Sequence, residues 1–150
     1  AAEAGNKEAQ YALATMYKEG RGVPKDDKEA ARLLGLAALA DHLDATVEYA
    51  IALFNGTGVT RDEAAATKLL RKAAQRGAPI AQNRLARILA SGRGVPEDPK
   101  EAVKWHIISK AAGASDPFLD DYMARQSEDV RKAARKEADP WLFIIANSRT

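Results

Sequence analysis

One seven-residue loop occurs three times in this chain and fixes what it can fold into. It reads Gly20-Arg21-Gly22-Val23-Pro24-Lys25-Asp26, then Gly56-Thr57-Gly58-Val59-Thr60-Arg61-Asp62, then Gly92-Arg93-Gly94-Val95-Pro96-Glu97-Asp98. Successive copies start 36 residues apart. A fixed period of this size marks an array in which one supersecondary unit is stacked on itself. Aligned on that period, residues 1–36, 37–72 and 73–108 form three rows, and 109–150 begins a partial fourth. Other columns agree: Ala9, Ala45 and Ala81; Ala14, Ala50 and Ala86; Ala30, Ala66 and Ala102; Leu33, Leu69 and Trp105. The expected fold class is all-α, an α/α solenoid of helix-turn-helix repeats.

Each row holds two helical segments. The first, helix A, spans about residues 7–19 in row one; positions 9, 13, 14 and 17 share one apolar face. Gly20 ends it, because glycine enters the left-handed conformation without a Cβ clash. Asp26 then caps helix B (about 27–40), with Glu29 three residues on as in a capping box. Row three has the same start with proline at the first helical position: Asp98-Pro99-Lys100-Glu101. Gly5, Asp41, Gly77 and Gly113 occupy the column of the turn between rows. Ala1–Gly5 aligns with the end of a helix B, so the chain is expected to belong to a longer array and to self-associate through the repeat face exposed at Ala1.

The last row departs. Asp116-Pro117 opens a helix of about 117–126, and Ser127 another of about 128–138, ended by Pro140. These read as a polar C-terminal helical cap, which a solenoid needs because its last repeat has no neighbour. The apolar run Trp141 to Ile145 is expected to fold back over that cap, to dock another molecule or to be disordered in isolation.

No constellation for chemistry is visible, and no catalytic residue, cofactor or metal ligand is assigned. Cysteine is absent, which removes thiolate metal sites and cysteine nucleophiles. The two histidines lack metal-ligand spacing; His42 reads as a solvated turn residue and His106 as a hydrogen-bonded, partly buried one. Ser109 lies near His106 with no oriented acid. The glycine loops lack the strand and lysine of a phosphate cradle. With 23 basic and 21 acidic residues, the chain has no basic face for nucleic acid, and no apolar run is long enough for membrane insertion.

The candidate site is a stripe along helix A, about opposite its core face. Positions 8, 12, 15 and 19 fall within about 60° of one another. The stripe comprises Glu8, Ala12, Thr15 and Glu19 in row one, Asp44, Glu48, Ile51 and Asn55 in row two, and Ile80, Arg84, Arg87 and Ser91 in row three. Its charge is segregated, acidic first and basic last, and Ile51 and Ile80 are apolar where solvent is expected. Such a surface suits an extended peptide or a helix of a partner protein, with Arg84 and Arg87 able to grip a carboxylate bidentately.

The pattern A-x-x-x-G-x-x-x-A-Q-Y-x-L-A-x-x-Y-x-x-G-x-G-V-P-x-D from Ala1 to Asp26 resembles the Sel-one-like repeat family, relatives of tetratricopeptide repeats. The resemblance covers residues 1–108. Row two departs with Asp41 for Gly, Val47 for Tyr and Thr60 for Pro. It implies a right-handed solenoid whose A helices line a concave surface. It also implies an adaptor or regulator in a bacterial protein complex, with the periplasm favoured over the cytoplasm. A hydrolase acting on cell-wall or β-lactam-like material, or a small-ligand-binding module, is the alternative; the stripe carries no histidine or cysteine for such chemistry.

Overall fold

The computed structural model describes residues 2–148, with side chains from Asn6 onward. Among the described residues there are eight helices and no strand. The chain divides into two compact units, Ala1–Arg76 and Gly77–Thr150.

The first unit holds α1 (Ala2–Glu19), α2 (Asp27–Leu39), α3 (Leu43–Asn55) and α4 (Glu63–Gln75), each packed on the next. The start of α1 differs from expectation: Gly5 is helical, within an 18-residue helix, where its column placed a turn. That column does turn at Asp41, the one non-glycine described with positive φ (69°), and its carboxylate meets Lys72 at 3.3 Å and Arg76 at 3.4 Å. Short polar side chains tolerate this conformation best after glycine.

The repeated loop closes the same way each time. The backbone N–H of the capping Asp donates back to a carbonyl in helix A: Asp26 to Tyr17 (2.9 Å), Asp62 to Leu53 (2.8 Å) and, in the second unit, Asp98 to Leu89 (3.0 Å). Each Asp side chain accepts from the amide three residues on, at Glu29, Ala65 and Glu101. The capping box itself does not close in row one, where the Glu29 carboxylate turns to Arg32. Gly58 has a second duty. At φ +72° its backbone lies so close to α2 that a Cβ would stand 2.1 Å from the Asp27 carbonyl oxygen.

Small columns carry the first core. Ala14, Leu33, Leu34, Ala37 and Ala45 form one buried cluster, rimmed by Tyr11, Tyr17 and Tyr49. Alanine here lets the helices approach closely, and Gly35 leaves room for the Tyr49 ring 3.2 Å from where a Cβ would be.

The second unit holds α5 (Pro79–Ser91), α6 (Pro99–Ala111), α7 (Pro117–Ala124) and α8 (Glu128–Ser148). α6 packs against α5, α7 and α8. The largest fully buried side chain of this unit is Trp105 of α6, with Leu85 of α5, Ile108 of α6 and Leu119 of α7 among the others. The expected end at Pro140 is corrected: α8 runs through Pro140 to Ser148. Proline in a helix interior costs about 3 kcal/mol or more. The cost is offset by packing on either side of it, since Ala138 is fully buried and Trp141 meets Trp105 edge-on at 5.4 Å. Trp141–Ile145 therefore neither folds back nor hangs free; it is the last part of α8.

The 36-residue register also resumes there. Ala138 falls in the column of Ala30, Ala66 and Ala102, and Trp141 in that of Leu33, Leu69 and Trp105. The last two thirds of α8 are thus a helix B, and its first third, residues 128–134, fills the columns of the glycine loop.

Candidate functional site

In the first unit, α1 and α3 present their stripe residues to solvent in part. Glu8, Ala12, Glu19, Asp44 and Asn55 are exposed; Thr15, Glu48 and Ile51 are half-buried. Thr15 is drawn down because its Oγ1 donates to the Tyr11 carbonyl (3.1 Å). Two of the acids tie α1 to α3. Glu48 accepts from the Tyr11 hydroxyl and from Lys18 Nζ (3.2 Å), and Glu8 meets His42 Nε2 at 3.2 Å. Burial and the hydrogen bond to Glu48 push the Tyr11 hydroxyl well above its ordinary pKa.

His42 is not the solvated turn residue its column suggested. It is 7% exposed and caps α3, its Nδ1 accepting from the Ala45 amide at 3.1 Å. That bond needs a bare Nδ1, so the ring carries its proton on Nε2 and donates it to Glu8. The Tyr11 ring stacks on the imidazole at 4.5 Å. An aspartate, asparagine or serine would have been read as a cap from the sequence; histidine rarely is.

In the second unit, the α5 stripe holds Ile80, 60% exposed, with Arg84, Arg87 and Ser91 also exposed. Arg84 makes no ion pair among the described residues. Arg87 does: its Nε and Nη2 grip Asp116 at 2.6 and 3.0 Å, and its guanidinium lies 5.0 Å over the Phe118 ring. Asn83 Nδ2 (2.9 Å) and the Leu119 amide (3.3 Å) also donate to Asp116, the α7 cap. Asp116 is 4% exposed. Burial works against its charge, but the bonds from Arg87, Asn83 and Leu119 outweigh it and bring its pKa down to about 2. The bidentate grip expected of Arg87 is thus spent on a carboxylate of its own chain. The sequence hid this because Asp116 lies 29 positions away.

His106 is hydrogen-bonded, as its column implied, but fully and not partly buried, with Nε2 2.7 Å from Asp120, which also accepts from Lys110 at 2.9 Å. Ser109 Oγ donates to the His106 carbonyl and not to its ring, so no serine–histidine relay forms there. Among the described residues no group of histidine, cysteine and carboxylate side chains could hold a metal ion, and no helix is long and apolar enough to cross a membrane.

Comparison with known proteins accords with this architecture. The chain is similar to a Sel1 repeat protein from Oxalobacter formigenes, with 30% identity and a TM-score of 0.70, over 83% of this chain and 92% of that one. It is also similar in fold to c5321, a protective antigen present in uropathogenic Escherichia coli strains that displays an SLR fold. Identity there is 24% and the TM-score 0.72, over 98% of this chain and 40% of that one. A search of curated proteins returns no match. Proteins of this repeat class are generally protein-interaction scaffolds and typically non-enzymatic. The family model for the Sel1 repeat matches residues 7–42, 43–77 and 79–113, and the chain belongs to the Sel1 repeat family.

Proposed function

We propose that this protein is a non-enzymatic scaffold that binds a peptide or helix of a partner protein on the exposed stripe residues of the A helices within a unit. The supporting observation is a contrast of columns. In α3 and α5 the packing columns Ala45, Ala50, Ala81 and Ala86 are fully buried, while no stripe residue on α1, α3 or α5 is buried. Packing explains the first set; in the second, Glu8, Glu48 and Arg87 are held by His42, Tyr11 and Asp116, and Ile80 and Arg84 are exposed and serve a partner. Within the stripe, Ile80 beside Arg84 is the most exposed apolar–cationic pair, and it suits an acidic peptide carrying an apolar anchor.

A peptide library selected on the whole chain, with binders titrated against variants, tests this. Ile80→Asp with Arg84→Glu should weaken selected peptides at least about tenfold, the loss of one anchor. Lys68→Glu, on the exposed outer side of α4, should leave them unchanged. Arg87 is avoided because its loss would unfix Asp116. Peptides that bind equally well to stripe variants in both units would overturn the assignment.

A further inference from the structure

Row two carries a chemically labile pair that rows one and three lack. Where helix A meets the glycine loop, row one has Glu19-Gly20, row three has Ser91-Gly92, and row two has Asn55-Gly56. The other asparagines, Asn6, Asn83 and Asn147, precede Lys7, Arg84 and Ser148. The Asn83 and Asn147 amides are tied down, donating to Asp116 at 2.9 Å and to the Phe143 carbonyl at 3.0 Å. Asn55 and Gly56 are both exposed, and with no Cβ at Gly56 its backbone nitrogen is poorly shielded. In the closed loop that nitrogen is engaged. The Gly56 N–H donates to the Ala52 carbonyl at 2.7 Å, and the Thr57 N–H donates to the same oxygen at 3.0 Å. The Asp62 N–H, 2.8 Å from the Leu53 carbonyl, fastens the far end of the loop. Asn55 is the last residue of α3, and a helical ψ turns the Gly56 nitrogen away from the Asn55 side-chain carbonyl.

We propose that Asn55-Gly56 is a site of spontaneous backbone modification whose rate is set by opening of the loop between α3 and α4. When the loop opens, the Gly56 N–H leaves Ala52 and the Asn55 ψ is free to turn. Base takes the Gly56 amide proton, and the nitrogen attacks the Asn55 side-chain carbonyl carbon. The new N–Cγ bond closes a five-membered succinimide. The Cγ–Nδ2 bond breaks, and Nδ2 takes up a proton and leaves as ammonia. Water then opens the ring at either carbonyl and leaves aspartate or isoaspartate at position 55. Each product works against the closed loop. Aspartate puts a negative charge at the negative end of the α3 dipole. Row one carries such a charge in Glu19, which meets Arg21 at 3.5 Å; row two has Thr57 in the Arg21 column, so no cation answers there. Isoaspartate adds a carbon to the main chain between Leu53 and Gly56, the two residues whose backbone groups fasten the loop. The modification is therefore gated by the fold and loosens it once made.

Mass spectrometry of the full chain, incubated in mildly alkaline buffer and then digested with trypsin, tests this. The peptide 33–61 should gain the mass of amide-to-acid conversion and split chromatographically into aspartate and isoaspartate forms, while the other asparagines keep their amides. Conversion should quicken with rising pH, because its first step removes a proton. It should run at least about tenfold slower than in a synthetic peptide of residues 50–61, which has no closed loop to open. Gly58→Ala, which forces the loop off Asp27 without touching the reacting atoms, should speed it. Asn55→Gln would need a six-membered ring and should stay unmodified over the same period. A wild-type chain still unconverted at Asn55 long after the synthetic peptide has reacted would overturn the proposal, as would earlier conversion of Asn6, Asn83 or Asn147. Equal rates in chain and peptide, or in wild type and Gly58→Ala, would overturn it too, because the loop would then not set the rate.

Discussion

At the scale of single residues, three side chains or their absence hold local geometry that nothing else nearby supplies. Gly58 is the sharpest case. Alanine there meets both a left-handed backbone and a Cβ 2.1 Å from the Asp27 carbonyl oxygen, and backbone cannot swing aside as a side chain can. Gly58→Ala should destabilise the first unit by roughly 2–4 kcal/mol, measured by urea unfolding. Asp116 gives a pH signature. Its folded pKa, about 2, lies below the ordinary value of 3.8, so its stabilisation is complete above the ordinary value and is lost as pH falls through the folded one. Wild type should exceed Asp116→Asn by about 2 kcal/mol at pH 7, and the gap should close as pH falls from about 4 to 2. Titrating thermal stability of the two proteins in parallel reads that gap. For His42, the cap argument orders two substitutions: His42→Asn keeps an acceptor for the Ala45 amide, whereas His42→Ala loses it and should cost about 1 kcal/mol more.

At the scale of elements, what could be read from the sequence divides by how local the cause is. The turns of the three loops and their capping aspartates depend on contacts within ten residues, and each forms as its letters imply; the close approach of Gly58 to Asp27 is the long-range exception. The end of α8 does not. Pro140 is a strong local stop, but it falls in the column of Arg32, Lys68 and Lys104, which faces away from the buried Ala138, so its ring meets no core. Trp141 then gains a partner, Trp105, that lies 36 residues back. Tertiary packing outweighs local propensity here, and only the column alignment, carried into the fourth row, carried the clue. Polar partners such as Asp116 for Arg87 were invisible for the same reason. The packing argument makes its own claim: Trp141→Ala should loosen α8 beyond Ala138 and cost about 3 kcal/mol, in the range for a large aromatic. Amide exchange of residues 141–148 should rise to that of an exposed helix, while α6 stays protected.

At the scale of the whole molecule, each unit has its own buried cluster, one around Ala37 and Ala45 and the other around Trp105 and Ile108. In a repeat array, stability is close to a sum of intrinsic terms and nearest-neighbour terms, so damage should stay near where it is made. Ala37→Leu places three extra carbons into a fully buried column of the first unit, and overpacking of this kind costs about 1–3 kcal/mol. Hydrogen exchange of the full chain should then show faster opening of α2 and α3, with protection in α6 little changed. A uniform loss of protection across α1–α8 would instead mean that the chain opens only as a whole. Stability would then not be partitioned between two cores, and substitutions in one unit would change partner binding by the other through global unfolding alone.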